Sequence, residues 1–284
     1  APHVTGIVAL MKERDPNLTV EQIRSILKNT GTSVNGYRLV NAPRAVSAVA
    51  DTRSQFALVN AIGHYFWRNG AYERFGAPTT AEIALRDGGV AQIFAKNQVI
   101  YWTARQGAFH VNFNGAIGAK YRSAGYEHGY GYPTMAEMAV PGGVMQRFAR
   151  ADGRTTAVYW DASTYRTHAV WEAGSIGYRY NVSGGVGRYG FPVSDETAVM
   201  GSVQQRFRTA AGTETVMVWS PGTGTKVLNG RGGLYWYWVN NGYIGQLGYP
   251  TSDEVAQADG SVVLSFTSGA QLRWTAETGV QRVR

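Results

Sequence analysis

Hydrophobic positions fall into two regimes along the chain. In the first fifty residues they recur at helical spacing. Val4, Ile7, Val8, Leu10 and Met11 leave almost no polar side before Lys12, the pattern of a helix buried within a larger protein. Arg14-Asp15-Pro16-Asn17 breaks that helix. Thr19 then stands three residues before Gln22, a capping box opening a second helix with Ile23, Ile26 and Leu27 on its apolar face and Gly31 closing it. Tyr37–Asn41 leads into a last apolar stretch, Ala42–Ala50. A linker is expected at 51–56.

Beyond it the apolar residues come in short bursts between glycine-rich turns, and the bursts repeat. Gly76-Ala77-Pro78, Gly131-Tyr132-Pro133, Gly190-Phe191-Pro192 and Gly248-Tyr249-Pro250 are each followed by a glutamate four residues after the proline: Glu82, Glu137, Glu196 and Glu254. Upstream lie Ile62-Gly63…Tyr65, Ile117-Gly118…Tyr121, Ile176-Gly177…Tyr180 and the variant Gly233-Leu234-Tyr235. Downstream lie Gln92-Ile93-Phe94, Gln146-Arg147-Phe148, Gln205-Arg206-Phe207 and Leu264-Ser265-Phe266. A tryptophan closes each copy: Trp102, Trp160, Trp219 and Trp274. Copies two and three are three residues longer between Pro and Trp (27 against 24), and an insertion between two fixed strands marks a hairpin loop. Val90–Ala95 and Gln98–Trp102 are thus expected to pair, with a third strand near Phe109–Val111. Each unit reads as a short helix, a Gly-aromatic-Pro turn and a hairpin, over about 57–113, 114–172, 173–229 and 230–284. One such unit cannot bury its own apolar face, so four should stack. The predicted fold class is α+β and β-rich: tandem helix–hairpin repeats in a ring-like or propeller-like array, preceded by a helical remnant.

Composition narrows the chemistry. Of 284 residues 36 are glycine, 44% are hydrophobic and none is cysteine. Thiolate metal sites, cysteine nucleophiles and disulfides are thereby excluded. No apolar run approaches the roughly 20 residues of a membrane-spanning helix, so no membrane insertion is expected. The net charge of +8 favours an anionic partner without requiring one. Residues 51–284 carry 21 Lys and Arg against 16 Asp and Glu, not interleaved with aromatics in any repeated register, so no nucleic-acid partner is expected.

Two resemblances follow from these motifs. Ala1-Pro2-His3-Val4-Thr5-Gly6, Asp15–Thr19 and Gly36…Leu39-Val40-Asn41-Ala42…Ala45-Val46 resemble the C-terminal part of a subtilisin-like (S8 family) serine protease domain. In that family the nucleophilic serine sits three positions before the residue matching Ala1, with the triad Asp and His further upstream. The resemblance therefore implies no catalytic residue in this chain, a packing role for His3, and a parent protein with serine endopeptidase activity. The chain opens without an initiator Met or signal segment and reads as cut from something longer. The four Gly-aromatic-Pro units resemble the LGFP repeat, Leu247-Gly248-Tyr249-Pro250 most nearly. That family occurs on secreted hydrolases and mycoloyl-transferring enzymes of actinobacteria. The resemblance implies a secreted, wall-associated protein that binds cell-wall polysaccharide, arabinogalactan or peptidoglycan.

A sugar site needs a flat apolar face and polar groups for the hydroxyls. The candidate ligand-binding residues are accordingly Glu82, Glu137, Glu196, Glu254, Trp102, Trp160, Trp219 and Trp274. The residues alone favour a local turn for each glutamate and a core place for each tryptophan, with ligand contact as the alternative. Phe94, Phe148, Phe207 and Phe266 read as core, and Gln92, Gln146 and Gln205 as buried amides satisfying turn backbone. Four equivalent glutamates do not supply the unlike pair that glycoside hydrolysis requires. No cofactor and no metal site are expected, since His64, His110, His128 and His168 share no repeat position. The chain is expected to be monomeric. Three functions stay open: a wall-binding module, a stabilising appendage of a protease, and a protein-interaction ring. Ala77 and Leu264 mark the first and fourth copies as degenerate or as caps.

Overall fold

The computed structural model describes residues 2–49 and 56–284. The expected linker thus lies, except for Phe56, outside the described residues. The chain divides into two compact units, residues 1–115 with 132–134, and 116–131 with 135–284.

The first unit begins with α1 (Pro2–Arg14), α2 (Val20–Thr30), a hairpin of β1 (Thr32–Val34) and β2 (Tyr37–Leu39), and α3 (Ala42–Ser47). The capping box forms as expected: the Gln22 amide N–H donates to Thr19 Oγ1, and the Thr19 N–H to Gln22 Oε1 at 2.8 Å. Gly31 closes α2 at φ −62°, in extended conformation rather than as a left-handed cap. Ile7, Met11, Leu18, Ile23, Ala45 and Val49 make a small core. Expected burial all round α1 is not seen, because α1 buries only Ile7, Met11 and Arg14 and leaves Val4 and Leu10 exposed. The neighbours its apolar sides call for are absent from the described residues.

The same unit then carries α4 (Asn60–Arg68), α5 (Ala71–Phe75) and a four-stranded antiparallel meander of β3 (Ile83–Ala84), β4 (Val90–Phe94), β5 (Gln98–Thr103) and β6 (Gly107–Asn112); residues 132–134, with β7 (Tyr132–Pro133), fall in this unit but not in that meander. The second unit repeats the plan three times. First come α6 (Ala116–Ser123) and the sheet of β8 (Met138–Val140), β9 (Gly143–Ala149), β10 (Thr155–Asp161) and β11 (Arg166–Trp171). Next come α7 (Ser175–Val182), α8 (Gly185–Tyr189), β12 (Phe191–Pro192), β13 (Thr197–Val199), β14 (Ser202–Arg208), β15 (Glu214–Ser220) and β16 (Gly224–Asn229). Last come α9 (Gly233–Asn240), α10 (Tyr243–Leu247), β17 (Val255–Ala256), β18 (Val262–Ser265), β19 (Gln271–Thr275) and β20 (Gly279–Arg282). The fold is β-rich α+β with small, open antiparallel sheets. The hairpin and third strand stand where the indel placed them. The short first strand of each meander has too few residues to show a period of two, and the sequence gives no sign of it.

The repeated residues explain the repeated geometry. Gly190 follows α8 at φ +74°, and a Cβ there would lie 1.8 Å from the carbonyl oxygen of Arg208, so both conformation and space demand glycine. Gly131 meets the same two constraints against Ala149. The proline that follows needs no ladder N–H. Pro192 pairs with Phe207 at the strand edge, and Pro78 and Pro250 bridge to Phe94 and Phe266. Those phenylalanines are buried and stack on an aromatic of the helix: Phe94 on Phe66, Phe148 on Tyr121, Phe207 on Tyr180 at 4.5 Å, with Trp238 tilted over Phe266. The structural equivalent of Tyr121 is therefore Phe66 in the first copy, not Tyr65, and Trp238 in the fourth, not Tyr235. The polar tips of three of them share one task. Tyr121 and Tyr180 hydroxyls donate to the carbonyls of Gly131 and Gly190, and the Trp238 indole N–H donates to that of Gly248.

Neighbouring repeats of the second unit share cores, as the stacking argument requires. Ala157, Tyr159 and Val170 of one sheet pack with Ile176, Tyr180, Phe191 and Phe207 of the next copy. Val216, Val218 and Leu228 pack likewise with Leu234, Trp238, Leu264 and Phe266.

Candidate functional site

The site is built on the outer edge of β11. Ala169 pairs with Val158 across the sheet, and its own N–H and C=O are taken by side chains of the following repeat. Asp195 Oδ1 accepts the Ala169 N–H at 2.8 Å, and the fully buried Gln205 amide donates to the Ala169 carbonyl at 2.7 Å and to Ser194 O at 2.9 Å. Lys120 ion-pairs with Asp195 Oδ2, and His168 Nδ1 lies 3.5 Å from Oδ1. Burial alone would raise the Asp195 carboxyl, but His168, Lys120 and the Ala169 amide outweigh it and hold the group well below the ordinary aspartate range. The residue after it, Glu196, is thereby fixed in place.

Glu196 stands where two depressions meet. One, of about 410 Å³, is lined by Tyr130, Arg150, Arg154, Trp171 and Asp195 among others; the second, of about 260 Å³, by Trp171, Val203, Trp219 and the start of α7. Both include Glu196 and Trp171, so they form one groove with aromatic walls. Among the described residues no hydrogen-bond partner reaches the Glu196 carboxylate, and burial pushes it up to about 7. Burial first, then the charge of Asp195, pushes the Tyr130 phenol up to about 12, so it stays a neutral hydroxyl. The guanidiniums are partly engaged, Arg150 with Gly129 O and Arg154 with Asp152. The groove thus offers two indole faces, a phenol, two carboxyls and two guanidiniums.

Of the eight residues singled out from sequence, the structure brings Glu196 and Trp219 together here. The four tryptophans keep one setting, each on the middle strand and half-buried, opposite a valine: Val90, Val144, Val203 and Val262. Trp102 lines a separate cleft of about 360 Å³ with His64, Tyr65 and Arg68. Trp160 stands edge-on to Tyr165, and Trp274 packs on the core shared by the third and fourth copies. Glu254 serves local structure: its Oε1 accepts the Asn229 N–H at 3.1 Å, although burial pushes its carboxyl up to about 7 against that bond. Glu82 buries Oε1 without a partner, and Glu137 is half-buried. The glutamines satisfy the turns as expected, Gln92 with Thr80 O, Gln146 with Met135 O and Gln205 with Ser194 O. Sequence reasoning missed Trp171, which has no counterpart in the other copies; its place in the next repeat is held by Asn229. Among the described residues no group of His, Asp and Glu is arranged to hold a metal ion, and no helix is long and apolar enough to cross a membrane. His3 is exposed.

Comparison with known proteins fits this architecture. Residues 75–129, 131–187 and 247–284 match the LGFP repeat, more than half of the chain, and the chain belongs to the LGFP-repeat family. Residues 1–63 match the subtilase family. Fervidolysin of Fervidobacterium pennivorans is 32% identical over 102 residues, which cover 31% of this chain and 13% of that relative.

Proposed function

We propose that the repeats are a non-catalytic module that binds cell-wall polysaccharide and holds a secreted subtilisin-like protease at the wall. The observation that carries the reading is the groove around Glu196, where Trp171 and Trp219 offer flat faces and Glu196 presents a carboxyl with no partner among the described residues. Indole faces stack on pyranose rings, and carboxyls and guanidiniums take the hydroxyls. The cleft at Trp102 supplies a second, weaker candidate, so retention on the wall would be multivalent, with copies adding through effective concentration. Among the eight repeat positions, Glu196, Trp219 and Trp102 are the sugar contacts; Glu82, Glu137, Trp160 and Trp274 occupy equivalent places at lower occupancy, and Glu254 is spent on its turn. The shared cores and side-chain hooks between successive copies of the second unit support a stacked array of those copies.

Sedimentation of the full chain with isolated actinobacterial wall, arabinogalactan or peptidoglycan tests this. Retention that falls about tenfold in Trp219→Ala is the expected result; no retention on any of the three refutes it. The subtilase match favours a second reading, in which proteolysis is the parent's function and the repeats only stabilise it. An unchanged wall retention but altered thermal inactivation of the parent on deleting the repeats would separate the two.

A further inference from the structure

A second depression, of about 340 Å³, opens beside β11, lined by Thr164, Arg166, His168, Arg206, Arg208 and Glu214. Side chains alternate along a strand. Arg166 and His168 therefore face this cleft while Ala169 and Trp171 face the groove described above. Two guanidiniums of this cleft, Arg206 and Arg208, pair with one carboxylate, Glu214; Arg206 also donates to the Tyr235 hydroxyl at 2.8 Å, and Arg231 approaches Glu214 from outside the lining. Glu214 is buried and accepts from Arg206 Nη1 at 2.5 Å and Arg208 Nη2 at 2.9 Å, with Arg231 Nε at 3.7 Å. Burial raises its carboxyl, but Arg208 and Arg206 outweigh that and keep it below the ordinary range, so it stays charged. Arg166 forms no ion pair among the described residues. Asp161, opposite it in the hairpin, is turned to Ser163 and Thr164. The Arg208 Nε–H is buried without an acceptor among the described residues. The preceding repeat shows the balanced alternative: Arg147 is matched one to one by Glu172, through bonds of 2.6 and 2.9 Å.

We propose that the cleft formed by Arg166, Arg206 and Arg208 is a binding site for an oxyanion, a carboxylate or phosphate group carried by a polysaccharide. The exposed Arg166 guanidinium, with no ion pair among the described residues, keeps its donors open to an anion entering the cleft. Guanidinium forks match the paired oxygens of carboxylate and phosphate. The excess of positive charge inside the cleft supplies the attraction. The site does not depend on the Glu196 groove, and its test does not pass through that groove.

The experiment follows the arginine Hε–Nε NMR signals of the full chain during titration with inorganic phosphate. The expected result is a saturable shift of Arg208 Hε with Kd on the order of millimolar, weakened about tenfold in Arg166→Gln and by added sodium chloride. Arg166 is exposed, so that variant keeps its fold, checked by an unchanged melting curve. Trp219→Ala removes the groove wall and leaves the phosphate titration as it was. Glucuronate and glucose 6-phosphate, run against glucose, separate the two sources of negative charge: the tighter of the two anions names the group. A linear shift without saturation, an equal response to glucose, or an Arg166→Gln titration identical to the parent overturns the proposal.

Discussion

The junction at β11 and the junction at β16 solve one problem in two ways. Both present the backbone of an edge-strand residue, Ala169 or Val227, to the turn of the next repeat. Both N–H groups go to an aspartate three residues after the proline, Asp195 or Asp253, itself tied to a cation on the preceding helix, Lys120 or Arg179. The carbonyls differ. Gln205 takes that of Ala169, whereas the fourth copy has Leu264 in that place and the backbone N–H of Glu254 takes the Val227 carbonyl at 3.2 Å. The aspartate contact recurs while the amide is replaceable, provided some other donor moves in. Leu264 then adds its side chain to the apolar core.

Copying one solution onto the other should therefore fail. Gln205→Leu leaves the carbonyls of Ala169 and Ser194 without a donor inside the protein, and urea unfolding should show a loss of about 2–3 kcal/mol. A loss below a few tenths would mean that the backbone rearranges as it does at β16. Asp195→Ala, in the more exposed carboxylate, should cost about 1–2 kcal/mol after allowance for solvent, and Asp253→Ala about the same. Unequal effects would show that Lys120 and Arg179 are not equivalent partners.

The glutamates that follow add a pH dependence with a definite sign. Burial pushes Glu196 up to about 7, and Glu254 to about 7 despite the Asn229 N–H. An unfolded glutamate titrates near 4.3, so the folded state binds these protons more tightly. Stability from both groups is complete below about pH 4.3 and is lost as pH rises through about 7. Glu196→Gln should flatten the decline between pH 5 and 8 by about 1 kcal/mol, discounted for the solvent-facing side of the group. An unaltered decline would show that it does not titrate there. The smallest effect concerns the helix aromatic. Tyr180→Phe removes one hydrogen bond, to Gly190 O, and should cost about 1 kcal/mol. The first copy already manages with Phe66 at that place.

What could be seen in advance was local. The glycine-proline turn, the hairpin and the buried Phe and Gln depend on residues close in sequence, and four copies reinforced each signal. What escaped was set by partners far along the chain. The exception is Phe66, which spacing alone marks in place of Tyr65: it stands twelve residues before Pro78, as Tyr121 does before Pro133, and the stacking on Phe94 agrees. Asp195 gave no sign of reaching Ala169 and Lys120, residues of another copy. Trp171 was passed over because repetition was the guide and Trp171 is not repeated. The site itself was half legible: Glu196 and Trp219 stood out, but their meeting with Trp171 and Tyr130 belongs to the junction, not to any one motif.

The aromatic of the Gly-aromatic-Pro turn has a directional job. Tyr132 donates to Arg86 O, Phe191 packs on Gly142 and Gly143, and Tyr249 donates to Met200 O, each reaching the loop between the first two strands of the repeat before it. The first copy follows the subtilase-like segment and has Ala77 there. The modules therefore have a head and a tail, like couplings on rolling stock. A duplicate of the third copy should splice in behind the original, whereas the first, lacking its hook, fits only at the front of the train.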